Sequence, residues 1–199
     1  MFWHSYEAAL ALAVGYLLGS IPFGLVLMRL AGAGDLRSVG SGNIGATNVL
    51  RSGHKGLAAT TLVLDALKAT LAVVAASSVF GTWAGLAAAA GAVLGHMYPV
   101  WARFRGGKGV ASFLGGLIGL AWPVAVTFAI VWLAVAALTR YSSAAALTAT
   151  VASPLAAVAI GREDIALIFA LLAALVWLKH GPNIGRLLNG SEPRIGQQD

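Results

Sequence analysis

The sequence has few charged side chains and no cysteine, and both absences narrow the class of protein. Charged residues make up 10% of the 199 residues, whereas an ordinary soluble domain has about 25%. Because 59% of the residues are hydrophobic, we expect the chain in a lipid bilayer rather than in water. The lack of cysteine excludes thiol catalysis, disulfides, iron–sulfur clusters and cysteine-based zinc sites. Four histidines without clustered carboxylates indicate no metal site, and no cofactor is expected.

Long apolar runs account for most of the chain. A helix that spans a ~30 Å hydrocarbon core needs roughly 20 residues, so the runs predict an all-α integral membrane protein with about seven transmembrane helices. We expect a single membrane-embedded domain over residues 1–199. Residues 110–139 allow one long kinked helix or two spans that turn at Ala121-Trp122-Pro123, since proline disfavours helix directly before it. The runs cover residues 6–30, 57–79, 83–100, 110–121, 123–139, 143–160 and 164–179.

Positive charge is distributed unevenly between the loops. If seven spans start with the amino terminus outside, one face receives only Arg162, next to Glu163 and Asp164. The positive-inside rule assigns the other, basic face and the carboxyl terminus to the cytoplasm. Along the sequence the basic residues are scattered between the apolar runs rather than clustered, so nucleic acid is not an expected partner. The basic face holds Arg37, Arg51, Lys55, Arg103, Arg105, Lys108, Arg140, Lys179, Arg186 and Arg194.

The glycine-rich polar stretches all lie on the predicted cytoplasmic face, where we expect them to form the active site. The first is "GSGNIGATNVLR", Gly40 to Arg51. Its glycines allow the backbone amides to turn toward one point and bind an anion, and the Arg51 guanidinium matches phosphate or carboxylate. A flexible interfacial loop is the alternative. The predicted anion-binding residues of this stretch are Gly40, Ser41, Gly42, Asn43, Gly45, Thr47, Asn48 and Arg51.

The second stretch, "RFRGGKGVAS", runs from Arg103 to Ser112 and surrounds Lys108 with Gly106, Gly107 and Gly109. Exposed amides and an ammonium suit contact with an oxyanion. The stretch is not a Walker A loop, because Ala102 stands where that motif needs glycine and Gly109 where it needs serine or threonine. Nucleotide hydrolysis is therefore disfavoured, and an ordinary basic turn is the alternative.

The third stretch, "KHGPNIGRLLNGSE", runs from Lys179 to Glu192 and contributes His180, Asn183 and Arg186. A cation at a helix carboxyl terminus often only compensates the helix dipole. A smaller stretch, "TRYSS", contains Ser142.

Two charges, Asp65 and Lys68, lie inside the second apolar run and share one helix face. Charges within a membrane are costly and usually paired or functional. We expect a structural ion pair between them or with a neighbouring helix, and a site-supporting role for Lys68 is the alternative.

Together the motifs "GSGNIGATN…R", "GGKGVAS" and "HGPNIGRLLNGSE", in this order, resemble those of bacterial acyl-phosphate:glycerol-3-phosphate acyltransferases, the PlsY family. The match covers nearly the whole chain, including "GYLLGSIPFG" from Gly15 to Gly24. Ser112 stands where threonine is expected about as readily. The resemblance implies transfer of a fatty acyl group from acyl phosphate to the 1-hydroxyl of sn-glycerol 3-phosphate, which gives lysophosphatidic acid and phosphate at the start of phospholipid synthesis. It also implies the bacterial cytoplasmic (inner) membrane, with membrane lipid as a partner and a functional link to an enzyme that produces acyl phosphate.

The resemblance also implies roles for individual residues. The first motif would bind mainly acyl phosphate, and the donor's own phosphate would assist deprotonation of the glycerol hydroxyl. We prefer His180 as a hydrogen-bond donor rather than a base. The implied catalytic residues are Ser41, Arg51, Lys108, His180 and Asn183. The implied substrate-binding residues are Gly40, Gly42, Asn43, Gly45, Thr47, Asn48, Gly106, Gly107, Gly109, Ser142 and Arg186.

Two alternatives to this expectation are a different acyltransferase chemistry and a transport function. The better-known acyltransferase dyad of histidine and aspartate is absent, because the fifth residue after each histidine is Ala9, Ala59, Trp101 or Gly185. A small transporter of phosphate or an organophosphate would be expected to show inverted repeats and a site near mid-membrane. The sequence shows no repeated motif, and its candidate phosphate sites lie on one face.

Overall fold

The computed structural model describes residues 2–197, with side chains from Ser5 onward, and this part of the chain is helical without strands. It divides into two compact units that meet in sequence at Leu120 and Ala121. The helices of the first unit are α1 (Phe2–Gly19), α2 (Phe23–Leu30), α3 (Ala46–Arg51), α4 (Lys55–Phe80), α5 (Thr82–Met97) and α6 (Val110–Leu120). Those of the second unit are α7 (Trp122–Thr139), α8 (Ser142–Ala159), α9 (Glu163–Lys179) and α10 (Gly181–Leu188).

The lengths and apolar composition of the helices bear on the predicted number of membrane spans. Within residues 2–197, 4 helices are long and apolar enough to span, and 5 if α9 and α10, which meet at a 63° bend, form one broken span. The 4 are Ser5–Leu30, in which α1 and α2 are counted together as one span, Lys55–Phe80, Trp122–Thr139 and Ser142–Ala159. At 11 residues α6 is shorter, about 16 Å at the helical rise. The protein is therefore a multi-pass membrane protein, and the count of seven stays a prediction.

Residues 110–139 form two helices rather than one. Ala121 has φ −156° and ψ 83°, outside the helical region, and Pro123 lies in the first turn of α7. Proline is tolerated there because the first-turn amides have no partner within the helix.

In the first unit, α1 and α5 pack through small residues. A Cβ added at Gly15 or Gly19 would meet the backbone of Ala88 or Ala92, and one added at Gly91 would meet the Leu12 carbonyl. Such close backbone approach is typical of helices in lipid, where the hydrophobic effect does not drive association.

Replacing Gly91 with alanine is expected to destabilise the protein by about 1–3 kcal/mol, because the new methyl group overpacks this contact. The measurement is the thermal midpoint in detergent. Gly56→Ala is the matched control, since a Cβ at Gly56 would meet nothing within 4 Å. An equal midpoint for both variants would contradict the close packing of α1 and α5.

In the second unit, the carboxyl-terminal segment returns to the turn between α7 and α8. The Ile195 amide donates to the Arg140 carbonyl at 2.7 Å, and Arg140 Nη2 donates back to the Ile195 carbonyl at 3.1 Å. The Arg194 guanidinium lies 5.7 Å from the centre of the Tyr141 ring. The "TRYSS" stretch is thereby tied to the segment that follows α10.

The outer helix surfaces are apolar. Leu138, Leu167 and Leu178 are 85%, 64% and 76% exposed, whereas alanines such as Ala89 and Ala149 are fully buried. Large exposed apolar surfaces are unfavourable in water and normal in contact with lipid. The arrangement fits an integral membrane protein.

Candidate active site

The first motif forms a tight loop that leads into α3. Gly40 and Gly42 have φ of 50° and 66°, which is the left-handed region that glycine enters without strain. A short 3-10 helix, Leu36–Ser38, precedes the loop, and Asp35 caps it by accepting from the Arg37 amide at 3.0 Å. The segment is therefore built from local turns.

Asn48 fixes the shape of this loop from the inside. Its side chain is 2% exposed, and Nδ2 donates to the Leu36 and Val39 carbonyls, each at 3.0 Å. Its Oδ1 accepts from the Ser41 amide at 3.2 Å. These bonds use both N–H groups of the amide, so Asn48 holds the loop in this conformation.

Other residues of the first motif have more open positions. Ser41 and Thr47 are exposed, and Arg51 is half-buried in the last turn of α3. Asn43 Oδ1 accepts from the Gly45 amide at 3.2 Å. The loop thus combines two accessible hydroxyls with one guanidinium, a set suited to an anionic group.

The second motif is a loop packed directly on the end of α5. The Gly107 amide donates to the His96 carbonyl at 2.9 Å. A Cβ at Gly106 would meet that carbonyl, and one at Gly107 would meet the His96 ring. Gly109 has φ 85°, a left-handed value that favours glycine. Each of the three positions therefore requires glycine for its own local reason. Lys108, half-buried, lies among these glycines.

The predicted ion pair inside α4 is confirmed. Lys68 Nζ lies 2.7 Å from Asp65 Oδ1, with both side chains 3% exposed. His96 of α5 joins the pair, since its Nδ1 lies 3.1 Å from Lys68 Nζ. Sequence reasoning gave His96 no role, although two charges within an apolar helix call for further polar partners.

In the second unit, Glu192 is the centre of the third motif. Its buried carboxylate accepts from Asn183 Nδ2 at 2.6 Å and from Ser143 Oγ at 2.7 Å. Arg186 Nε donates to the other oxygen at 2.7 Å. Burial acts to raise the pKa of Glu192, but these hydrogen bonds and the Arg186 charge hold the pKa below its ordinary value. Glu192 was not among the predicted site residues.

Asn183 and His180 are held in defined orientations. Within the part of the chain that the structure describes, Asn183 Oδ1 is buried without a hydrogen-bond partner, so an acceptor is available to a donor such as a hydroxyl. His180 is 2% exposed, and its Nδ1 lies 2.7 Å from the Val176 carbonyl. Because a carbonyl only accepts, Nδ1 carries the proton, and a neutral ring presents an acceptor at Nε2. Ser142, half-buried, begins α8.

The predicted site residues fall into two sets. Those of the first two motifs belong to the first unit, and Ser142, His180, Asn183 and Arg186 belong to the second. Each set contains cations beside hydrogen-bonding groups.

The sequence profile of the family described as glycerol-3-phosphate acyltransferase matches residues 9–190. The chain belongs to this family. A glycerol-3-phosphate acyltransferase of Mesorhizobium japonicum is 58% identical over 195 residues, which cover 96% of this chain and 98% of that protein. One of Brucella anthropi is 59% identical over 186 residues, covering 94% and 92%.

Solved structures of the family have the same fold. A crystal structure of PlsY, an integral membrane glycerol 3-phosphate acyltransferase, in its glycerol 3-phosphate form gives a TM-score of 0.90 at 41% identity. It covers 95% of this chain and 96% of the other. The lysophosphatidic acid form gives 0.88 at 39% identity, with 95% of each chain covered.

Proposed function

We propose that this protein transfers a fatty acyl group from acyl phosphate to the 1-hydroxyl of sn-glycerol 3-phosphate. The products are lysophosphatidic acid and inorganic phosphate, at the start of phospholipid synthesis. The observation that carries the proposal is the match, over nearly the whole chain, to an acyltransferase structure in its glycerol 3-phosphate form. A second form of that structure, with lysophosphatidic acid, supports the same reaction.

The reaction is a direct transfer. The hydroxyl oxygen of glycerol 3-phosphate attacks the acyl carbon, the bond from that carbon to the phosphate oxygen breaks, and the released phosphate takes up the hydroxyl proton. No acyl-enzyme is formed, which agrees with the absence of cysteine. The protein contributes by orienting two anions and stabilising the developing charge.

We assign the first motif mainly to the phosphate of the acyl donor. Support comes from the exposed Ser41 and Thr47 and from the loop that Asn48 and the glycines shape. Arg51 and Lys108 supply positive charge to glycerol 3-phosphate or to the phosphate that is released when the acyl group is transferred. Gly106, Gly107 and Gly109 allow the Lys108 loop its conformation.

We assign the third motif and Ser142 to glycerol 3-phosphate. The unpartnered Asn183 Oδ1 suits a substrate hydroxyl, and Arg186 contributes charge. The preferred donor role of His180 at Nε2 requires the imidazolium form, since Nδ1 faces the Val176 carbonyl. The donor's phosphate remains the proposed base.

For the setting of the reaction, we propose the bacterial inner membrane and seven transmembrane helices in a single domain. The amino terminus lies outside, and the motifs and the carboxyl terminus lie in the cytoplasm, as supported by the basic loops. Acyl phosphate is a mixed anhydride that hydrolyses in water. A functional link to the enzyme that produces it is therefore part of the same proposal.

The test is product formation by the purified protein in detergent. Palmitoyl phosphate with glycerol 3-phosphate is expected to give lysophosphatidic acid, detected by mass spectrometry, whereas palmitoyl-CoA gives none. Lysophosphatidic acid formed from palmitoyl-CoA and glycerol 3-phosphate, but not from palmitoyl phosphate, would overturn the choice of donor. Failure with both donors, together with phosphate uptake by the protein in vesicles, would favour the transporter.

A further inference from the structure

A buried polar network lies beneath the second glycine loop and consists of Asp65, Lys68 and His96. These side chains are 3%, 3% and 5% exposed. Lys68 Nζ lies 2.7 Å from Asp65 Oδ1 and 3.1 Å from His96 Nδ1. It also donates to the Ile21 carbonyl at 2.8 Å. The ammonium therefore joins three separate segments of the first unit.

His96 closes the network through one ring nitrogen. Its Nδ1 lies 3.1 Å from Lys68 Nζ and 3.5 Å from Asp65 Oδ1. An ammonium has three N–H donors, and Lys68 directs them at Asp65 Oδ1, the Ile21 carbonyl and the His96 ring. The other ring nitrogen, Nε2, is the atom nearest to where a Cβ of Gly107 would lie.

The network holds the Lys108 loop on both sides. Before Lys108, the Gly107 amide donates to the His96 carbonyl at 2.9 Å, and the His96 ring occupies the space beside Gly107. After Lys108, Ser112 Oγ donates to the Asp65 carbonyl at 2.9 Å. The two residues that anchor the loop are thus themselves members of the network.

The network also contacts the segment between α1 and α2, which packs near the first motif. Ile21, which accepts from Lys68, lies in the break between α1 and α2. Near the start of α2, Gly24 lies so close to the Ile44 carbonyl that a Cβ would overlap with it. A shift of Lys68 would therefore be transmitted to both loops.

We propose that Asp65, Lys68 and His96 are positioning residues for acyl transfer, which act by holding the Gly106–Gly109 loop so that Lys108 meets the substrate phosphate. The inference rests on the proposed function. Stability alone does not explain the network, because apolar side chains of similar volume often replace a buried ion pair without loss of stability. Positioning does explain it, since a displacement of about 1 Å can cost about 100-fold in rate.

The test is a double-mutant cycle between the network and Lys108. The variant Asp65→Leu/Lys68→Met keeps the volume and removes both charges. It is expected to stay folded, to lower kcat by about 10- to 100-fold and to leave KM for palmitoyl phosphate within about threefold. In a Lys108→Ala background the same pair of changes should lower kcat further by less than about twofold, because residues that act through one another are not additive.

Thr61→Val is the matched control, since Thr61 is fully buried on α4 and, among the residues that the structure describes, its hydroxyl bonds only the Leu57 carbonyl of the same helix. It should leave kcat unchanged in both backgrounds. His96→Asn is a second arm, because it keeps an acceptor for Lys68 and removes the ring beside Gly107. Its effect on kcat is likewise expected to fall below about twofold in the Lys108→Ala background. If Asp65→Leu/Lys68→Met does not fold, the result for His96→Asn decides the test.

Equal fold-losses in the two backgrounds, or unchanged kcat in a stable network variant, would overturn the inference. The unaltered protein separates this failure from that of the proposed function. If it forms lysophosphatidic acid and the cycle is additive, only the inference fails. If it forms none, the proposed function fails and the inference fails with it.

Discussion

Replacing Lys108 with alanine is expected to cost roughly 2 to 4 kcal/mol of transition-state stabilisation, a factor of about 30 to 1,000 in kcat. The ammonium lies in a loop that is fixed by the Gly107 amide and the His96 carbonyl. In the reaction that we propose, its charge is thereby held in advance at the place where negative charge develops as the acyl–phosphate bond breaks. Pre-organised charge of this kind needs no reorganisation during the reaction, which is why its loss appears in kcat.

Two further variants sharpen this experiment. Lys55→Ala is the matched control, because Lys55 is an exposed lysine of the same unit at the start of α4, and it should retain full activity. Lys108→Arg keeps the charge with a planar geometry and should retain part of the activity. Wild-type turnover by folded Lys108→Ala would remove Lys108 from the site.

Replacing Glu192 with alanine is expected to lower the stability of the protein by about 3 kcal/mol, the scale of losing a buried charged hydrogen-bond acceptor. Asn183, Ser143 and Arg186 would all lose their shared partner. The Asn183 amide would no longer be oriented, so activity should fall by about tenfold or more in the folded fraction. Thermal midpoints and kcat are the measurements. Glu163→Ala, at an exposed position of the same unit, should change neither.

Glu192 also predicts a pH dependence. Because its pKa is lower in the folded protein than its ordinary value of 4.5, the ionised carboxylate stabilises the fold fully above that value. This stabilisation is lost as pH falls through the folded-state pKa. The thermal midpoint should therefore decline below about pH 4.5, and Glu192→Gln should show a smaller decline. An identical decline in both proteins would assign the effect to other groups.

The helices of the fold were largely predictable because apolar runs mark them directly. The run at residues 6–30 concealed one feature, since the structure breaks it between α1 and α2 at Ser20 to Pro22. Proline has no backbone N–H to continue a helix, so Pro22 was the local signal for this break. Helices α3 and α10 were not predicted, because both are short and lie within glycine-rich polar motifs that indicate loops as readily.

The motifs of the candidate site were also visible in the sequence, whereas most of the contacts that hold them were not. Glu192 and Ser143 are separated by 49 positions, and Lys68 and Ile21 by 47. No local periodicity reports such contacts, which arise from the packing of distant helices. A single chain also shows Asn48 only as a polar residue of the loop, while its burial reveals that it holds the loop together.

The most direct test of direct acyl transfer is phosphate release from palmitoyl phosphate by the purified protein, measured with and without glycerol 3-phosphate. Release is expected only when glycerol 3-phosphate is present, in amounts equal to the lysophosphatidic acid formed. Phosphate released without glycerol 3-phosphate would indicate an acyl-enzyme or simple hydrolysis and would contradict direct transfer.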